Sequence, residues 1–157
     1  MSTAALAPLR TCTGLAPASE DTLAKIRIVH DALLEVADVK VDTEHLLHGG
    51  MYVRTIRFEP GIVSVGSLIK RPTVLIVNGP CAVMGPDGWV ELTGYNVLPG
   101  SSGRKMLRVT RGHVELTMIV ATEAKTVEEA ENEVFAEADI LMSRRGGGMD
   151  TITITGE

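Results

Sequence analysis

Aromatic side chains are scarce in this 157-residue chain: one Trp, two Tyr and two Phe, 3% of the residues. Since 45% of the residues are nevertheless apolar, the core must be aliphatic. A chain of this length is one domain with arms at its ends. It buries roughly 70% of its unfolded surface, enough to fold without a disulfide or metal staple. Cysteine is sparse too. Cys12 and Cys81 fall in unlike settings, an N-terminal arm and a strand, so free thiols are expected rather than a disulfide framework. An excess of positive charge is missing: 15 Lys and Arg against 20 Asp and Glu leave a net charge of −5, and the basic residues are scattered. That argues against direct contact with nucleic acid or an anionic membrane. No run of 18 apolar residues occurs, so no membrane span is expected. The start, MSTAALAPLR, lacks the early positive cluster and continuous apolar region of a signal peptide, which implies synthesis in the cytoplasm. Histidine is absent from Gly49 to Gly112, and there is no GxSxG elbow or phosphate-cradling glycine loop.

What is present is a series of short Val-, Ile-, Leu- and Thr-rich runs cut by turn residues. Glu59-Pro60-Gly61, Asn78-Gly79-Pro80, Gly85-Pro86-Asp87-Gly88, Leu98-Pro99-Gly100 and Arg111-Gly112 mark the reversals. Gly-Pro-Asp-Gly suits a type I turn. Strands are expected at Met51–Phe58, Ile62–Leu68, Thr73–Val77, Ala82–Met84, Trp89–Leu92, Asn96–Leu98, Met106–Val109 and Val114–Ala121. This spacing points to a mainly β sandwich or barrel. The last run, VELTMIVA, is nearly continuously apolar and reads as a strand with both faces covered.

Two helices flank the strands. Ser19 caps the first, expected over Ser19–Ala37, with Glu20 and Asp21 in its first turn and Ile26, Val29, Leu33 and Leu34 on one face. The second is expected over Val127–Met142. Thr126 and Glu129 form a capping box, Val127, Ala130, Val134, Ala138 and Leu141 the inner stripe, and Arg144 and Arg145 follow its negative end. The organisation is then an N-terminal arm (1–18), a barrel with flanking helices (19–145), and a glycine-hinged β-arm (146–157). Residues 39–50 read as a polar connection. Glu44, His45 and His48 within it are the only clustered carboxylate and imidazoles, and the alternative to a capping role is a metal site.

Thr43-Glu44-His45, the strand Met51–Thr55 after Gly49-Gly50, Tyr95 before Pro99-Gly100, and Ile119-Val120-Ala121-Thr122 leading into an acidic helix form a recognisable order. Over about residues 42–141 the chain resembles the cupin-like proteins of bacteriophage and prophage genomes. The resemblance implies a cupin-like jelly-roll barrel. Enzymes of that fold commonly hold a metal with His and Glu side chains. Placed on this chain, the ligand positions fall at Ile69, Pro72, Thr73 and Val120, none of which can coordinate through a side chain. The resemblance therefore implies a barrel without catalytic residues, metal or cofactor.

Two functions follow from it. The first is a non-enzymatic structural component of a bacteriophage virion, a head, neck or tail accessory. Its partners would be copies of itself and other virion proteins, contacted through the arms and above all through Thr151, Ile152, Thr153, Ile154 and Thr155. The alternative is a metal-free isomerase, with His113, Tyr52 and Tyr95 as the available acid and base groups, or a small-molecule-binding module.

Overall fold

The computed structural model describes residues 14–36, 39–85, 88–145 and 149–157. Its first hairpin begins where the polar connection was expected. Gly49 and Gly50 both adopt positive φ (57° and 72°), the conformation a two-residue hairpin turn requires. They join β1 (Asp42–His48) to β2 (Met51–Phe58) in an antiparallel pair. The connection reading of residues 39–50 is thus corrected to a strand. Thr43, His45 and Leu47 are its buried face, so a period of two was present but written partly in polar residues.

The remaining strands are β3 (Val63–Val65), β4 (Thr73–Asn78), β5 (Cys81–Gly85), β6 (Gly88–Leu92), β7 (Tyr95–Gly100), β8 (Leu107–Thr110), β9 (Val114–Ala121) and β10 (Met149–Ile154). One sheet runs β10-β1-β2-β9-β4-β7 and the other β3-β8-β5-β6. Eight of these strands, β2-β9-β4-β7 facing β3-β8-β5-β6, make the two sheets of a jelly roll. The chain is therefore a mainly β jelly roll, the barrel type that includes cupins, with β1 and β10 widening one sheet. Gly79 carries the reversal from β4 to β5. Its φ is 121°, and a Cβ there would lie 2.2 Å from the carbonyl oxygen of His113, so only glycine fits. Pro86 and Asp87 of the expected type I turn lie outside the described residues, as do residues 1–13 and the Gly146–Gly148 hinge.

β9 alternates more than its apolar sequence suggested. Val114, Leu116, Met118 and Val120 are buried, whereas Glu115 is exposed and Thr117 and Ile119 are half-buried, so its outer face is only partly covered.

The first helix, α1 (Glu20–Leu34), starts as expected: the Ser19 hydroxyl accepts from the Thr22 N–H. It packs on β3 and buries Ile26 completely. The second, α2 (Val127–Val134), keeps the capping box but ends a full two turns before Met142. Phe135 turns to extended geometry (φ −104°, ψ 131°) and bridges Ile69. The Lys70 N–H donates to Val134 O at 2.8 Å, and the Ala136 N–H to Leu68 O at 2.9 Å. These bonds peel the chain from the helix and seat the Phe135 ring in the core. Ala138 and Leu141 stay buried through two 3-10 turns, Ala138–Ile140 and Met142–Arg144. The inner stripe was right and its helical carrier was not. Arg144, placed by sequence at a helix end, instead pairs with Glu131 at 2.8 Å.

Candidate functional site

Strand parity decides which side chains enter the barrel. β2 turns Tyr52, Arg54, Ile56 and Phe58 inward, β4 contributes Leu75, and β9 contributes Leu116 and Met118. From the facing sheet come Ser64 on β3 and Arg108 on β8. All of these except Tyr52 line a cavity of about 180 Å³. His30, Leu33 and Leu34 of α1 cover one side, and Phe135, Leu141 and Met142 close another. The cavity reaches the surface beside Val36, Val39 and Val63, all exposed members of its wall.

Two arginines stand out on this apolar wall. Arg54 is 8% exposed and Arg108 7%. Arg108 Nε donates to Ser64 Oγ at 3.1 Å, and its guanidinium lies 5.4 Å over the Phe58 ring. Arg54 lies 5.3 Å over Phe135. One of its Nη groups is 3.4 Å from Ser143 Oγ, and its Nε has no partner among the described residues. Arginines that do pair with carboxylates, namely Arg57, Arg71, Arg111 and Arg144, lie elsewhere. Among the described residues no Asp or Glu lines the cavity. Burial pushes the Arg108 guanidinium down to about 10, and the charges of Arg54 and Arg104 press the same way. It still carries its proton at neutral pH.

A second cluster lies outside the cavity wall. His45 Nδ1 is 2.8 Å from Tyr52 Oη, and both residues are buried. On the other side of the ring, Nε2 is 3.4 Å from Asp150 Oδ2 of β10. That is close enough for electrostatic attraction, but the contact is not aligned as a hydrogen bond. Burial, and then the Arg54 charge, lowers the His45 pKa, while Glu131 and Asp150 pull it upward. Burial raises that of the Tyr52 hydroxyl. A neutral imidazole with its proton toward Asp150 then accepts from the phenol. The cluster locks β1, β2 and β10 together and presents no group to the cavity.

The expected site residues are dispersed. Glu44 and His48 point outward from β1 while His45 points inward, since residues an odd number apart on a strand face opposite sides. Glu44 pairs with Arg57 at 2.6 Å, and His48 Nδ1 lies 2.8 Å from Thr155 Oγ1. The metal alternative at Glu44, His45 and His48 is therefore corrected: the three do not converge. Of the isomerase candidates, Tyr52 is buried on His45, Tyr95 is 66% exposed at the edge strand β7, and His113 is exposed beside Glu59 at 3.2 Å. They share no site. Of Ile69, Pro72, Thr73 and Val120, only Ile69 lines the cavity. Thr73 accepts a hydrogen bond from Arg104, and Pro72 is exposed. The cavity's polar side chains, three guanidinium groups, the hydroxyls of Ser64 and Ser67 and the imidazole of His30, do not suit a metal ion. Thr151–Thr155 run beside β1 of their own chain, in parallel register through Ile154.

Sequence reasoning missed Arg54, Ser64 and Arg108. For Arg54 a signal existed, since it shares parity with Ile56 and Phe58 rather than with Arg57.

No protein-family model and no curated protein sequence matches the chain. Among solved structures it is similar to a cupin superfamily protein from Desulfitobacterium hafniense, at 17% identity and TM-score 0.44, over 59% of this chain and 86% of that one. It is similar to a cupin domain from Bordetella pertussis, at 18% identity and TM-score 0.42, over 55% and 99%. A cupin-2 domain containing protein from Shewanella frigidimarina matches at 12% identity and TM-score 0.40, over 63% and 98%. The strand order, rather than these partial overlays, fixes the fold of this chain as a jelly roll.

Proposed function

We propose that the barrel is a binding module for a small, mostly apolar molecule held between its two sheets. The cavity carries this reading: about 180 Å³, walled by aliphatic side chains, with an opening beside α1. A cavity of about 150 Å³ is large enough to take benzene. Binding is favoured over isomerisation because His30 is the one imidazole on the described wall and has no tyrosine or carboxylate beside it there. Methionine methyls report on the site, since Met106 and Met118 line it while Met51 and Met149 are exposed elsewhere. Adding 1-hexanol to methyl-labelled protein should shift the signals of Met106 and Met118 and leave Met51 and Met149 in place. Signals that do not move, or that all move alike, would remove the reading.

A second reading keeps a structural role in a bacteriophage virion. Its setting rests on the sequence resemblance, and its surface on β10. All six residues of β10 are exposed, and its outer edge has no strand beside it among the described residues. An open edge of this kind pairs readily with a neighbouring sheet. The full chain should then sediment as an oligomer, and a chain lacking residues 146–157 as a smaller species. A full chain that stays monomeric across the accessible concentrations would discard this reading.

A further inference from the structure

We infer that the cavity selects a monocarboxylate of about seven to ten non-hydrogen atoms, its carboxylate held by Arg108 and Ser64 and its apolar body lying against the aliphatic wall. This deepens the binding reading above and rests on it. The first ground is donor geometry. Of the five N–H groups of Arg108, one is used, by Nε on Ser64 Oγ. The Nη groups have no protein acceptor among the described residues. Ser64 accepts from Arg108 and keeps its own hydroxyl proton to donate. A planar pair of N–H groups beside a free O–H matches the two oxygens of a carboxylate.

The second ground is charge. A buried cation demands a counter-charge or hydrogen-bond acceptors, and among the described residues Arg108 meets no counter-charge and one acceptor, Ser64 Oγ. The wall's buried charged residues are Arg54 and Arg108, with no acid among the described lining residues. Arg54 is the weaker anchor, because Ser143, its contact, also donates to the buried carboxylate of Glu131 at 3.0 Å. Arg108 has no such link. The third ground is the rest of the wall. Apart from the polar side chains of Arg54, Arg145, His30 and Ser67 it is apolar. Leu75, Leu116 and Met118 offer no hydrogen bonds, which suits the aliphatic body of a carboxylate better than the further hydroxyls of a sugar phosphate. Burying an aliphatic or phenyl group there is favourable.

Calorimetric titration of the full chain with hexanoate, hexanamide and inorganic phosphate tests the inference. Hexanoate and hexanamide have the same shape and differ in charge. Hexanoate is expected to bind at least tenfold more tightly than hexanamide, and phosphate weakly or not at all. Arg108→Met should erase the difference between hexanoate and hexanamide measured on the same variant, and Ser64→Ala should weaken hexanoate several-fold. The wild-type ratio decides without any variant, so a variant that fails to fold does not protect the idea. Equal binding of hexanoate and hexanamide overturns the carboxylate while the cavity reading stands. Phosphate binding as tight as hexanoate overturns the apolar body. If neither organic ligand binds and 1-hexanol leaves the methionine methyls unmoved, the binding reading has failed, and this inference with it.

Discussion

Replacing Arg108 by Met should make the ligand-free protein more stable, although it deletes a hydrogen bond and a ring contact. Holding the guanidinium pKa down at about 10, well below its ordinary value, corresponds to about 3 kcal/mol of lost hydration at neutral pH. Against this stand the bond to Ser64, worth about 1 kcal/mol, and the contact with Phe58, worth about 1 kcal/mol. Methionine is flexible and apolar, so it refills most of the vacated volume. The difference favours the variant by about 1 kcal/mol, equivalent to a rise of about 2–4 °C in Tm for a domain of this size. The sign in pH is also fixed. The folded pKa is depressed, so the folded state carries the penalty at every pH below about 10 and sheds it only as pH rises from there toward the ordinary guanidinium value. Urea midpoints at pH 7 and pH 8 should therefore show the same gap between variant and wild type. A variant less stable than wild type by more than about 1 kcal/mol would refute the reasoning, because it would mean that the charge is compensated in the empty barrel.

Burial holds the pKa of both His45 and His30 below the ordinary imidazole value. The unfolded chain then takes up protons first, so stability should fall as pH drops from about 6.5 through the lower folded values. His45→Gln should flatten that slope in part, with His30 supplying the remainder; urea midpoints between pH 8 and pH 5 that ran parallel in both proteins would contradict a neutral, buried His45. Truncation after Arg145 removes twelve residues, the nine described ones all exposed, and a single edge ladder. It should lower Tm by no more than about 4 °C, which corresponds to about 1–2 kcal/mol, and loss of the cooperative transition would show that β10 belongs to the core.

The barrel was legible in the sequence because turn residues mark where strands must reverse, and glycines such as Gly79 have steric reasons to be there. β1 was not, because its inward side is Thr43, His45 and Leu47. Two of those three residues find hydrogen bonds or buried neighbours only once β2 and β10 lie beside them. The end of α2 was hidden for a related reason. Its apolar spacing continues through Leu141, but the Leu68–Lys70 segment supplies competing backbone partners at Val134 and Ala136, and spacing cannot register a distant competitor. Arg108 was the least legible residue. Its strand neighbours Leu107 and Thr110 are both buried on a four-residue strand, so parity there points both ways. A buried charge becomes visible only when the opposite sheet is in place.

The pairing of β10 with β1 sets an order of events in the making of the chain. His48 and Thr155 touch across 107 residues of sequence. At about 5–20 residues per second, a ribosome needs roughly 5–20 s to cover that interval. The β1–β2 hairpin closes through a two-residue turn in microseconds, so the nascent chain holds an open β1 edge for seconds. Throughout that time His45 can reach Tyr52 but not Asp150. The outward-facing charges beside that edge, with Arg57 bridging Asp42 and Glu44 across the hairpin, are then what keeps it from pairing with the edge of another unfinished chain.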